Sequence, residues 1–162
     1  SYLQDDLSIP CELEYIEFDI HKKNGRPSCF NCTWNRRKAL FLTADRLGCN
    51  KVAFVHHKDD INETTLLNLF YHGEISTMPP KLSMFDGIIT ILRPLAYIAE
   101  AELLGFVRGQ KYPFEFSQCG ANGIDKRRRR VKELILELER EFPHIRSNIF
   151  KSLRNIKDEY LN

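Results

Sequence analysis

The run Lys51-Val52-Ala53-Phe54-Val55 passes without a spacer into His56-His57-Lys58-Asp59-Asp60-Ile61-Asn62-Glu63-Thr64, and this junction constrains the fold most. The first five residues are apolar and β-branched enough to predict a buried strand. The series Ile61, Leu66, Leu67, Leu69 and Phe70 predicts a helix directly after it, with Asp60 as N-cap and Glu63 three residues on. A strand that turns at once into a capped helix carries polar side chains at the carboxyl edge of a sheet. Open α/β folds bind their ligands at that edge. An ordinary capping box beside two solvated histidines has the same sequence signature.

The remaining elements follow the same alternation. Tyr2 to Leu7 reads as the last turns of a helix, and Leu13 to Ile20 alternates like a strand. A polar loop from His21 to Ser28 ends at Cys29-Phe30-Asn31-Cys32. From about Thr33 a helix runs to Leu47, with Leu40, Ala44 and Leu47 on one face and Gly48 as its stop. A second helix runs from Asp60 to about His72 and stops at Gly73. Met78-Pro79-Pro80-Lys81-Leu82 is neither helix nor central strand, because proline removes backbone donors. Ile88 to Leu92 predicts a buried strand and Ile98 to Gln110 a helix. Pro113 to Phe116 is short and extended, and Cys119-Gly120-Ala121-Asn122-Gly123 is a tight loop. Asp125 to Glu141 predicts a long helix with Val131, Leu134, Ile135 and Leu138 on one face. Pro143 ends it, and a last helix spans roughly His144 to Asp158. Strands alternating with helices predict an α/β parallel sheet with a C-terminal helical tail, divided at about 1–118 and 119–162.

With 43% hydrophobic and 28% charged residues, the chain is globular in composition rather than disordered. No apolar run in the 162 residues reaches membrane-span length and no signal-peptide pattern is present, so the expected compartment is a reducing cytoplasm. Five cysteines in that setting favour metal, cluster or redox chemistry over a disulfide framework. Cys29 and Cys32 are spaced to face one metal, beside a helix start that lowers thiol pKa. Cys119, in its glycine-rich loop, can bring a third sulfur to the same point. Three thiolates leave one cluster iron or a fourth zinc position open; a thiol–disulfide pair and a structural zinc completed by His21, His56 or His57 are the alternatives. Cys11 and Cys49 read as small buried hydrophobes. Lys126-Arg127-Arg128-Arg129-Arg130 places five cations at a helix start, where the dipole opposes them, and nucleic-acid phosphate would relieve the conflict. A solvated face neutralised in part by an Arg129–Glu133 pair is the plainer reading.

Taken together and in order, Cys-x-x-Cys with Arg36-Arg37 after it, His56-His57-x-Asp59-Asp60, Met78-Pro79-Pro80-Lys81-Leu82, Arg93-Pro94-Leu95-Ala96-Tyr97 and Cys119-Gly120 resemble the tRNA 2-thiocytidine synthetase family of PP-loop ATPases. The resemblance runs from about Tyr2 to the end. It implies a Rossmann-like fold of the adenine nucleotide alpha hydrolase type. It also implies an enzyme that adenylates the C2 oxygen of an anticodon-loop cytidine with ATP and then replaces AMP with sulfur. By the same resemblance Cys29, Cys32 and Cys119 hold a 4Fe–4S cluster and carry the catalysis. His56, His57, Asp59 and Asp60 lie near the nucleotide phosphates and Mg²⁺. tRNA and a sulfur donor such as a cysteine desulfurase are the implied partners. Unpaired sheet edges allow a homodimer.

Two departures stand out. Val55 occupies a position where the family usually has glycine, and the family's Ser-Gly-Gly-Lys-Asp-Ser phosphate loop is absent from the 162 residues. The expectation is therefore a fragment of the enzyme, with a gap in its sheet and no productive ATP binding alone. The rival functions are a non-catalytic RNA-binding module and a structural zinc protein.

Overall fold

In the computed structural model, residues 2–16, 29–110 and 126–160 are described. Among these residues, helices α1 (Tyr2–Asp5), α2 (Cys29–Arg46), α3 (Lys58–His72), α4 (Glu100–Gly109), α5 (Lys126–Glu141) and α6 (Ile145–Ser152) accompany strands β1 (Lys51–Ala53), β2 (Lys81–Met84) and β3 (Ile89–Leu92). The sheet order is β1-β3-β2. β1 runs parallel to β3, pairing Val52 with Ile91, and Phe54 N–H extends the ladder to Leu92 O at 2.8 Å. β2 runs antiparallel to β3, pairing Lys81 with Leu92 and Met84 with Ile89. The α/β class expected from the sequence holds, with one addition. Lys81 and Leu82, expected in a loop, open an edge strand, a position compatible with the two prolines just before it.

The sheet is small, and its central strand supplies the buried residues Ile89 and Ile91. Ala44, Val52 and Ile89 form the core beneath α2, with Phe41 and Phe54 packed against them. Phe41 meets Phe54 and Phe85 edge-on, at ring separations of 6.4 and 5.8 Å. Phe41 and Ala44 therefore form the packed face of α2, while Leu40 and Leu47, expected on that face, are exposed. The helix also starts four residues earlier than expected, so Cys29 and Cys32 lie within its first turn rather than before it. The segment 11–16 carries no strand over its described part. Arg46 binds it by ion pairs to Glu12 and Glu14. The rest of the expected strand, the loop after it, Pro113 to Phe116 and the Cys119 loop lie outside the described residues.

Helix α3 is capped three residues earlier than expected. His57 is the N-cap and Asp60 is its N3 partner: Asp60 N–H donates to His57 Nδ1 at 3.4 Å, and His57 N–H donates to Asp60 Oδ2 at 3.1 Å. Asp60 thus serves as the reciprocal partner of a capping box that His57 opens, rather than as the cap itself. At the other end Gly73 adopts φ 67°, and Glu74 N–H reaches back to Asn68 O at 3.1 Å. Gly73→Ala places a Cβ in open space but in the left-handed region, so we expect a loss of about 1 kcal/mol in urea denaturation, from backbone strain alone.

The buried face of α3 is largely polar. Asp59, Asn62, Glu63 and Thr65 are buried beside Ile61, while Leu69 and Phe70 are exposed. Helices α5 and α6 pack on this face, and Val131 and Ile135 of α5 are fully buried there. Asn62 Nδ2 donates to Arg146 O at 3.0 Å, and Thr65 and Thr77 hydroxyls both donate to Ile61 O. Polar residues on an inward face need specific partners, and the C-terminal helices supply most of them.

Candidate functional site

Three loops meet at the carboxyl ends of the parallel strands β1 and β3: Val55–His57, Met78–Pro80 and Arg93–Ala99. Arg93 is the central side chain among them. It is only 7% exposed, its backbone N–H donates to Pro80 O at 2.8 Å, and its guanidinium donates from Nη1 to Pro79 O and from Nε to His56 Nδ1 at 3.3 Å. No carboxylate pairs with it among the described residues. Burial lowers its pKa from the ordinary arginine value, and the nearby Arg37 charge lowers it further. His56 is likewise depressed, first by burial; the Asp60 carboxylate opposes that shift, while Arg93, Arg37 and Arg128 add to it. Burial and three guanidinium charges thus bias His56 towards its neutral form.

The neighbouring aspartates have different environments. Asp59 is 3% exposed and both of its oxygens are engaged: Oδ2 accepts Glu100 N–H at 2.7 Å and Oδ1 pairs with Arg146. Arg146 also binds Glu139 at 2.7 Å. Together with Lys58 N–H to Ile98 O at 2.9 Å, Asp59 fastens the start of α3 to the start of α4 and to α6. Asp60 instead opens onto a cleft of about 310 Å³ lined by His57, Asp60, Glu63, Glu100, Arg128, Arg129 and Lys132. Arg128 bridges Asp60 at 3.1 Å and Glu63 at 2.7 Å, and Lys132 pairs with Glu100 at 2.9 Å. Acids and bases balance in this cleft, so it does not concentrate negative charge from solution as a uniformly basic groove does.

The basic block does not form a single face. Arg128 points inward to α3, Arg127 lies over the Tyr71 ring at 5.6 Å, and Arg130 pairs with Glu133 at 3.6 Å and Glu137 at 3.4 Å on the exposed side. Glu133, assigned from the sequence to Arg129, is thus paired with Arg130. Arg129 lines the cleft, and Lys126 is exposed at the helix start. Of the cysteines, Cys32 is half-buried on α2 one turn before Arg36, and Cys29 begins that helix; Cys119 lies outside the described residues. No group of three or more possible metal ligands is assembled among the described residues. Among them too, no helix is long and apolar enough to cross a membrane.

Arg93 and Arg146 were not assigned site roles from the sequence. An arginine directly after a buried strand, before proline, is a readable pointer to the sheet edge. Arg146 carried no such signal, because its contact with Asp59 spans 87 residues.

A Rossmann-like α/β fold accounts for this arrangement. The U34-tRNA thiolase NcsA from Methanococcus maripaludis, whose structure holds its 4Fe–4S cluster, superposes with a TM-score of 0.72 at 19% identity, over 99% of this chain and 55% of that one. No family model matches the chain. The chain is nonetheless similar in sequence to the tRNA-cytidine(32) 2-sulfurtransferases. It is 41% identical to that of Pelobacter propionicus over 160 residues, or 96% of this chain, and 38% identical to that of Geobacter sulfurreducens over 148 residues. It spans 60% and 58% of the length of these two relatives.

Proposed function

We propose that this chain carries the cysteine and histidine–aspartate portion of an ATP-dependent tRNA sulfurtransferase that 2-thiolates cytidine 32. The observation that carries the reading is the 41% identity to a named tRNA-cytidine(32) 2-sulfurtransferase along nearly the whole chain. In support, the histidine–aspartate motif sits at the carboxyl edge of the parallel strands, where α/β folds bind nucleotides. Cys29, Cys32 and Cys119 would hold a 4Fe–4S cluster. The residue types suit it: a Cys-x-x-Cys within a helix's first turn has the spacing of two soft ligands to one metal or cluster. With three protein ligands, such a cluster supplies one iron on which sulfur can be held.

The chain's own residues divide the remaining work. His56, held neutral, offers a ring N–H to a phosphate oxygen. Asp60, partly exposed at the cleft, is the carboxylate that a Mg²⁺ ion accompanying ATP would reach, in exchange for the Arg128 contact on its Oδ1, whereas Asp59 is buried between Glu100 N–H and Arg146. Arg129, Arg130 and Lys126 would contact tRNA phosphates, and a cysteine desulfurase or similar donor would deliver the sulfur. The enzyme would act in the cytoplasm, and a homodimer is compatible with the exposed edge of β1.

Anaerobic reconstitution of the chain with iron and sulfide tests the reading. We expect broad visible absorbance with about four irons per chain, lost when Cys29, Cys32 or Cys119 is replaced by serine. Stoichiometric zinc without iron in anaerobically prepared protein, or a cluster indifferent to all three substitutions, would refute the assignment.

A further inference from the structure

We infer that Arg93 is a positioning residue that fixes the tautomer of His56, leaving Nδ1 as a bare acceptor and placing the imidazole proton on Nε2. The Nε–H of Arg93 donates to Nδ1 at 3.3 Å, and guanidinium nitrogens cannot act as acceptors. A proton on Nδ1 would set two donors against each other, so the nitrogen facing Arg93 must be unprotonated. The remaining ring nitrogen is then an N–H donor.

Arg93 is itself fixed well enough to impose this. It is buried at the end of β3, and its second guanidinium arm donates to the Pro79 carbonyl. The Pro79-Pro80 turn is held in place because Arg93 N–H closes onto Pro80 O, which continues the β2–β3 pairing. The prolines thus create a rigid acceptor for Arg93, and Arg93 passes that rigidity to His56. Phe54 lies against the other side of the imidazole, with ring centroids 5.6 Å apart and planes tilted by 32°. The charges around the ring act in the same direction: Arg93, Arg37 and Arg128 oppose protonation and only Asp60 favours it. The Met-Pro-Pro and Arg-Pro-Leu segments, linked by an Arg93–Pro79 contact across 14 positions, become a single device that sets the state of one histidine. That Nε2–H meets a phosphate oxygen rests on the function proposed above; the tautomer does not.

Nitrogen-15 NMR of the uniformly labelled chain at pH 7.5 tests the inference. An unconstrained imidazole already favours the Nε2–H form, so the deciding signal is the bond itself. We expect a through-hydrogen-bond coupling between Arg93 Nε and His56 Nδ1, and an Arg93 Hε protected from exchange with water. Arg93→Met should abolish the coupling and shift His56 towards the mixture of tautomers that free imidazole shows. Arg93→Lys, which keeps the charge but not the fixed fork, should not restore the coupling. A His56 carrying its proton on Nδ1, or no coupling in the folded wild-type chain, overturns the inference even if neither variant folds. Added inorganic pyrophosphate separates this from the functional reading: a shifted His56 Nε2–H supports the phosphate placement, whereas the Arg93 coupling is expected at every pyrophosphate concentration.

Discussion

Replacing Asp59 with alanine is expected to destabilise the chain by about 3 kcal/mol, measured as a lowered midpoint in urea denaturation without a change in slope. The substitution leaves the Arg146 guanidinium largely buried with only Glu139 as partner, and strips the start of α4 of the acceptor for Glu100 N–H. Asp59→Asn should lose roughly half as much, since a neutral oxygen can still receive that N–H while the ionic contact to Arg146 is gone. Combining Asp59→Ala with Arg146→Met should recover part of the loss, because the orphaned charge leaves with the arginine. If Asp59→Ala unfolds at the wild-type midpoint, the carboxylate is not the joint between α3, α4 and α6. The result also bears on the proposed function: a loss of the proposed activity in an Asp59 variant would reflect the frame of the site. Asp60→Asn is the substitution that addresses the cleft, because the amide oxygen can still cap His57 N–H while the negative charge is removed.

The parts of this architecture legible in the sequence were those fixed by local rules. The β1–α3 junction, the Gly48 and Gly73 stops and the amphipathic α5 each follow from periodicity or backbone freedom over a few residues. The errors arose where tertiary partners decided. Leu40, Leu47, Leu69 and Phe70 have the hydrophobicity of core residues yet lie exposed, while Asp59, Asn62 and Glu63 are buried because α4, α5 and α6 bring them partners. No hydrophobicity pattern anticipates a polar face satisfied by arginines 65 and 87 residues away. The N-cap of α3 was misplaced for a related reason. With His57 and Asp60 both able to cap, the choice depends on which side chain reaches the first-turn donors. At the site, the sequence junction gathered His56, Asp59 and Asp60 into one place, and the family resemblance implied one role for all three. Their roles diverge because burial separates Asp59 from Asp60 and because Arg93 reaches His56 from the next strand.

The same distinction between sequence proximity and spatial role predicts that the basic run Lys126 to Arg130 will not behave as one unit. Arg130→Gln and Lys126→Gln should each weaken tRNA binding and reduce the slope of log affinity against log salt by about 1 or slightly less, as expected for the loss of one phosphate contact. Their unfolding midpoints should hardly move, since Arg130's pairs with Glu133 and Glu137 are solvent-exposed and such pairs contribute little. Arg128→Gln should do the reverse. It leaves the nearly buried Glu63 carboxylate without its 2.7 Å partner and frees Asp60, so stability should fall by about 2 kcal/mol while the salt slope stays at the wild-type value. Glu63→Gln in the same background should restore much of that loss, because a neutral amide tolerates burial better than an unpaired carboxylate. Filter binding of tRNA across a salt series, run beside urea denaturation of the same variants, separates the two behaviours. A salt slope that falls equally for Arg128→Gln and Arg130→Gln would mean that RNA displaces Arg128 from Asp60 and Glu63, and that the inward ion pairs open when the substrate binds.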